Sequence, residues 1–350
     1  MTEQVDVAVI GMGPGGEVAA SRLLAAGKRV AVIERELIGG ECAYWACIPS
    51  KTVLRPPEAG GAVDRAAGVE GARLDWPAAR EYRDYMVRHL DDSGQVTSYA
   101  AQGALVVKGE ARMDGAGRLT VDGRQLSADH IIVATGSEAV VPAIDGLDEV
   151  TVWTNRETYT AVDLPARAVI VGGSAVGVET AQFLTRFGVQ VTVVQRGDRL
   201  LGREEPQVGR LARTALQAAG VDVRTGTSPR RARREGADSV LELDDGGQVR
   251  GDVVIMATGR TPRIDGLDLE RVGVRLGDSG GIVVDEHCRA ADGVWALGDV
   301  TAVMPFTHVA EYRRRRDPRP APARPLRRHP AGGVRRSGDR RRRSHPGPGR

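Results

Sequence analysis

The sequence predicts an α/β fold in which one unit, made of an apolar strand, a glycine-rich turn, a helix and a second strand, is built twice around parallel sheet. Three observations carry this. The stretch "VDVAVIGMGPGGEVAASRLLAAGKRVAVIERE", from Val5, has that order. The stretch "ARAVIVGGSAVGVETAQFLTRFGVQVTVVQRGD", from Ala166, repeats it, with Gly172, Gly177, Gly188 and Gln195 each 161 positions beyond Gly11, Gly16, Gly27 and Glu34. Each copy is later followed by an apolar strand that closes on Ala-Thr-Gly, "IIVATGS" at 131–137 and "VVIMATGR" at 253–260.

In the first copy each piece has a mechanical task. Gly11, Gly13 and Gly16, with Pro14 and Gly15 inside the same turn, let backbone approach a pyrophosphate closely, and the helix that opens there supplies unpaired N–H groups and positive dipole for it. Gly27 suits the left-handed residue that ends the helix. Glu34, at the tip of the next strand, is placed to accept hydrogen bonds from an adenosine ribose. Strand, turn, helix, strand and terminal acid in this order read as a dinucleotide site.

Residues 39–51, "GGECAYWACIPSK", set Cys42 and Cys47 five positions apart, ahead of a proline and Lys51. From the residues alone the pair reads as a redox couple, as metal ligands or as packing. With Cys288 the chain has three cysteines, too few for a disulfide scaffold and without the CxxC pairs of a structural zinc site. Lysine is rare, three against 46 arginines, so Lys51 is not the default cation of this chain. Tyr44 and Trp45, between the cysteines, either shape access or pack. Over 77–102, Tyr82, Tyr85, Met86, His89 and Leu90 are spaced for a helix and read as packing, with no role for His89.

The second copy departs from the first at two positions. Gly172, Gly173 and Gly177 keep the turn, but Ser174 stands where the middle glycine was and Gln195 where the acid was. Losing the carboxylate weakens the case for a 2′-hydroxyl, and Arg196 is placed to meet a 2′-phosphate, which slightly favours NADPH over NADH. In the two strand ends, Ala134, Thr135, Gly136 and Ser137 on one side and Gly259 on the other either bring backbone close to a bound nucleotide or form ordinary buried turns.

With 350 residues and 41% hydrophobic content, the chain can build the cores of two domains. No run of eighteen apolar residues occurs, and the N-terminus enters a strand pattern with no basic region or cleavage site, so a cytoplasmic protein is expected. The net charge of +3 is divided: Arg313–Arg350 holds fifteen Arg and two Asp, or +13, which leaves about −10 for residues 1–312.

Four motifs in order, Gly11-x-Gly13-x-x-Gly16, "CAYWACIPSK", the second glycine motif ending in Glu179, and "GVWALGDV" at 293–300, make the sequence resemble the class I pyridine nucleotide-disulfide oxidoreductases over roughly residues 4–311. The resemblance implies two interleaved Rossmann-like domains with parallel central sheets and small antiparallel meanders: an FAD-binding domain from 1–139 and 265–312, and an NAD(P)-binding domain from 140–264. It implies FAD on the first glycine motif and NAD(P)H on the second, with Arg35, Gly40, Ala111, Phe306, Thr307 and His308 among the cofactor-binding residues. Asp299 would touch the ribityl or pyrophosphate part of the flavin. Cys42 and Cys47 would form a reducible disulfide, with Cys42 attacking substrate and Cys47 against the flavin. Lys51 would sit near the flavin and pair with Glu179. The substrate would be a small-molecule or protein disulfide or thiol.

After residue 311 the family would continue into an interface domain that forms a homodimer and lends an acid-base histidine. Here residues 313–350 are an Arg/Pro-rich tail in which thirty of 38 residues are Arg, Pro, Gly or Ala, and it reads as a GC-rich gene out of frame. Loss of the dimer is the expectation, and a non-catalytic remnant is the alternative. A nucleic-acid arm is the weaker reading, since the tail lacks aromatic residues for base stacking. His329 and His345 lack the family's following glutamate and receive no role.

Overall fold

The computed structural model describes residues 3–312 apart from 64, 69, 70 and 72; the tail over 313–350, with His329 and His345, lies outside the described residues. The first strand, β1 (Glu3–Ile10), ends in a run of small and β-branched side chains that suits a strand covered on both faces. Helix α1 (Pro14–Ala25) opens with proline in its first turn, where a missing N–H costs nothing. Gly27 then turns the chain at φ +73°, as Gly188 does in the second copy at +91°. Strand β2 (Val30–Glu34) is buried throughout. The cysteine stretch forms two helices, α2 (Gly40–Tyr44) and α3 (Cys47–Val63).

Helices α4 (Trp76–Met86) and α5 (Ser93–Ala101) precede β3 (Leu105–Lys108), and the hairpin β4 (Ala111–Gly115) and β5 (Arg118–Val121) leads into β6 (Arg124–Val133). After β7 (Ser137–Ala139), β8 (Val152–Trp153) and α6 (Asn155–Thr160), the second copy runs through β9 (Arg167–Val171), α7 (Ala175–Arg186) and β10 (Gln190–Gln195). It continues with α8 (Pro206–Ala218), β11 (Asp222–Thr225), β12 (Pro229–Glu235), β13 (Asp238–Leu243), β14 (Gln248–Gly251) and β15 (Val253–Met256). The described residues end with β16 (Arg260–Pro262), β17 (Arg289–Ala291), β18 (Val294–Ala296) and α9 (Thr307–Tyr312).

Two parallel sheets result. One has the order β3-β2-β1-β6-β18, edged by β17, and the other β11-β10-β9-β15-β8. Because β18 pairs with β6, the chain leaves the first sheet, builds the second and returns, as the interleaved fold requires. Small antiparallel pieces hang on each: β4 and β5 beside β6, and the three-stranded β12-β13-β14. Where the chain crosses between the sheets, β7 and β16 pair antiparallel, with Ser137 opposite Pro262 and Ala139 opposite Arg260.

The Tyr82, Tyr85, Met86 and Leu90 stripe does not pack. Helix α4 stops at Met86, and Arg88, His89 and Leu90 follow with positive φ, so the helical spacing is not continued. Tyr82 and Tyr85 are 57% and 68% exposed and stack on each other. The inward face is Ala79 and Arg83 instead. Arg83 is buried with its guanidinium paired: it donates to Asp84 and to the Ala161 carbonyl at 2.8 Å and lies over the Trp76 ring. A paired arginine took the place that hydrophobicity assigned to tyrosine.

Candidate active site

A cavity of about 450 Å³ lies at the meeting of the two halves. Gly11, Gly13, Pro14 and Gly15 border it from the first turn, Glu34 and Arg35 from the tip of β2, and Ala134, Thr135, Gly136 and Ser137 from the end of β6. Gly40, Cys42, Cys47, Lys51, Ala111, Glu179, Asp299, Phe306 and Thr307 complete the predicted residues on its wall. Gly16 lies beneath the turn, where an added Cβ would stand 2.0 Å from the Gly11 carbonyl oxygen. His308 does not border the cavity; it is exposed and stacks on Phe306 at 5.6 Å. Of the second motif, Gly172, Gly173, Ser174, Gly177, Gln195, Arg196 and Gly259 do not border the cavity, although Ala175 and Val176 from the same turn do.

The two turns are built alike. Gly11 and Gly172 donate N–H to the Ile33 and Val194 carbonyls, both at 2.8 Å. The Met12 N–H donates to Glu34 Oε2 at 2.8 Å, and the Gly173 N–H to Gln195 Oε1 at 2.8 Å. Glu34 Oε1 accepts a further N–H from Glu36. Burial pushes the Glu34 carboxyl above its ordinary value, against these two bonds, which pull it down. Ser174 caps α7, its Oγ accepting the Gly177 N–H and donating to the Ala257 carbonyl at 2.9 Å. Arg196 is exposed beyond the tip of β10.

Cys47 is the first residue of α3 and Cys42 lies in α2; both are thiols, not bonded to each other. The Thr307 hydroxyl reaches both, 3.6 Å from Cys47 Sγ and 3.7 Å from Cys42 Sγ. The Cys42 thiol hydrogen-bonds to Cys47 and, with Thr307 and the Lys51 charge, outweighs burial and pulls the Cys47 thiol down to about 6. The same bond, burial and the Cys47 charge push Cys42 up. The acidic thiol is thus the one at a helix start with a lysine one turn away. Lys51 Nζ donates to Glu179 Oε2 at 2.6 Å, which ties α3 to α7. Tyr44 is fully buried, its hydroxyl donating to the Ile38 carbonyl, so it packs. Trp45 lies under the Arg156 guanidinium at 4.1 Å.

Sequence reasoning missed an ionic cluster on the same wall. Glu41, next to Cys42, accepts from Arg156 at 2.7 Å, Arg263 at 3.1 Å and Asn155 at 3.0 Å, and Arg260 lies 3.4 Å away. Arg156 also forks onto both oxygens of Glu36 at 2.7 Å. Arg260 Nε donates to Ser137 Oγ at 2.8 Å, and Ser137 Oγ donates to Asp299 Oδ2 at 2.7 Å. Burial alone would raise Glu41; the charges of Arg260 and Arg156, with the Asn155 and Arg156 bonds, hold it below its ordinary value. No periodic signal marks such partners, and the one local clue was an acid adjoining a cysteine. Among the described residues, no group of three or more His, Cys, Asp or Glu is set to hold a metal ion, and no helix is long and apolar enough to cross a membrane.

Compared with known proteins, residues 5–313 match the family described as pyridine nucleotide-disulphide oxidoreductase. The chain is 37% identical to a mercuric reductase of Streptomyces lividans, covering 87% of this chain and 67% of that one. It is 33% identical to a dihydrolipoyl dehydrogenase of Corynebacterium glutamicum, covering 89% and 69%. Among solved structures, the HOCl-induced flavoprotein disulfide reductase RclA from Escherichia coli superposes with a TM-score of 0.80 at 27% identity, over 88% of this chain and 69% of that one. The chain spans half to about two thirds of the length of the curated relatives it matches.

Proposed function

The chain belongs to the pyridine nucleotide-disulphide oxidoreductase family, and from that premise we propose that it is an FAD-dependent NAD(P)H:disulfide oxidoreductase working through a Cys42–Cys47 couple. One observation carries this reading: an acidified thiol at a helix start, paired with a second thiol, stands on the wall of a cavity bordered by the first glycine turn. Residues 1–139 and 265–312 would hold FAD, and residues 140–264 the nicotinamide cofactor.

The first site fits FAD on its own geometry. A Cβ on Gly13 would meet nothing within 4 Å, so the protein's own packing does not demand glycine there; a close-lying pyrophosphate would. Backbone N–H groups at the start of α1, the Glu34 carboxylate and the Ser137–Asp299 pair are donors and acceptors suited to its phosphates, ribose and ribityl chain. When bound, FAD supplies the carrier that takes two electrons from NAD(P)H and delivers them to the disulfide.

The residues of the chain then handle thiols and protons. The Cys47 thiolate accepts the Cys42 hydrogen and is positioned to take that proton as Cys42 attacks a substrate disulfide. The attack forms one mixed disulfide and releases one substrate thiol. Cys47 then attacks Cys42 Sγ, which re-forms the protein disulfide and releases the second thiol, so two electrons have passed to substrate. Thr307 and Lys51 stabilise the Cys47 thiolate before it takes that proton and again once the departing substrate sulfur has carried the proton away. Gln195 and exposed Arg196 support a slight preference for NADPH.

Purified protein tests the reading. Bound flavin that NADPH reduces, with a long-wavelength thiolate–flavin band at two-electron reduction, is the expected result; a chain that neither carries nor takes up FAD overturns it. A second reading, a nucleotide-binding protein without turnover, is favoured by the exposure of Val303, Met304 and Phe306 (47%, 55% and 54%) beside the cavity. It predicts one stoichiometric reduction and no sustained disulfide reduction.

A further inference from the structure

Helix α2 should not be stable by itself. It has five residues, below the length at which isolated helices persist, and its N-cap, Gly39, makes no side-chain capping bond. It nevertheless carries Cys42 and must hold that sulfur against Cys47. What holds it is external and comes mainly from α6. Asn155 and Arg156, at the start of α6, grip both of its ends: Arg156 and Asn155 bind the Glu41 carboxylate at the N-terminal end, and Asn155 Nδ2 donates to the Trp45 carbonyl at 2.8 Å at the other. The Arg156 guanidinium also covers the Trp45 ring. Arg260 and Arg263, from the β7–β16 crossing, add two more cations to Glu41, whose side chain is only 16% exposed.

We propose that Glu41 is a positioning residue for the redox couple: through Arg156, Asn155, Arg260 and Arg263 it fixes the helix bearing Cys42, and so sets how readily the Cys42–Cys47 disulfide forms. This rests on the reading of the two cysteines as a redox couple. The physical link is effective concentration. A disulfide closed within a chain is stabilised by the degree to which the fold holds its two sulfurs together, and loosening one of them favours the dithiol. Removing the Glu41 charge also favours the thiolate, so both effects act in one direction there; at Arg156 the lost cation opposes the loosening, so its shift is the smaller.

The test equilibrates the purified full-length chain with mixtures of reduced and oxidised dithiothreitol, and reads Cys42 and Cys47 by thiol trapping and mass spectrometry. In the exchange, the protein disulfide and reduced dithiothreitol give the protein dithiol and cyclic oxidised dithiothreitol; one S–S bond breaks, one forms, and two electrons and two protons move to the protein. Glu41→Gln keeps the size and the Asn155 contact but loses the arginine pairs. It should shift the equilibrium about tenfold toward the dithiol, Arg156→Gln should shift it the same way, and the double variant should go no further than the larger single one.

An unmoved constant in a folded variant overturns the positioning role, even if its melting temperature falls, and so do additive shifts. Should Glu41→Gln fail to fold, Arg156→Gln alone decides by the same criterion. A parent protein that forms no Cys42–Cys47 disulfide in oxidised dithiothreitol overturns the redox reading itself, which separates the two failures.

Discussion

The two glycine turns are the same construction put to different use. In both, the first glycine lies against a carbonyl of the neighbouring strand end: an added Cβ would stand 2.5 Å from the Ala134 oxygen at Gly11 and 2.3 Å from the Ala257 oxygen at Gly172. In both, the residue after it donates to the side chain at the tip of the next strand. That bond is made equally well by the Glu34 carboxylate and the Gln195 amide, so the fold does not need the acid. The middle position differs more. Ser174 is occupied in capping its own helix, whereas Gly13 faces open cavity. Positions the two copies share serve the backbone; where they differ, one copy caps a helix and the other leaves the position open.

The largest expected effect tests the shared part. Gly16→Ala and Gly177→Ala would each set a Cβ about 2 Å from a backbone oxygen, 2.0 Å from Gly11 and 2.1 Å from Gly172. Each should cost at least about 3 kcal/mol in urea unfolding, by roughly equal amounts. A copy that tolerates the change is not built as described.

Gly13→Ser grafts the second copy's cap onto the first. Stability should be unchanged or slightly higher, while FAD affinity, read by flavin fluorescence quenching, falls at least about tenfold. Intact FAD binding would mean that the open position serves no phosphate.

Glu34→Gln grafts the second copy's strand tip, keeps the Met12 bond and should fold. The sign of its pH effect follows from burial. A carboxyl raised in the folded state contributes stability below its unfolded value and loses it as pH rises through the folded one. The variant should therefore gain on the parent as pH rises above about 4, within the roughly 0.5–3 kcal/mol of ordinary substitutions. A difference independent of pH would show that Glu34 is not held above its ordinary value.

The smallest effect concerns the bridge between the copies. Glu179 stands where the first copy has Val18, and reaches Lys51 across the molecule. Because that pair is partly exposed, Glu179→Gln should cost less than about 1 kcal/mol. Iodoacetamide alkylation of Cys47 should have its pH midpoint near 6. Lys51→Met should raise that midpoint by about one unit, and Glu179→Gln should move it down by much less. A midpoint indifferent to Lys51 would remove the lysine from the site.

What could be read in advance was whatever repeats or spaces itself locally. The glycine positions, the left-handed residues at Gly27 and Gly188, the apolar strands and the Cys42, Cys47 and Lys51 spacing are all demands of backbone geometry or of one helical turn, and they are written within a few residues of where they act. The Tyr82 stripe misled because helical spacing says that one face is buried without saying which.

By itself, then, the sequence determined the doubled α/β plan and one wall of the cavity, since steric limits on φ, ψ and close approach are local. Only the tertiary structure decided that Thr307 reaches Cys47 across 260 residues of chain, that Ala175 and Val176 of the second turn border this cavity, and that Glu41 meets Arg156 and Arg263 across 115 and 222 residues. Ion pairs and thiol acidities depend on distances between segments remote in sequence, and those distances exist only once the two sheets have packed.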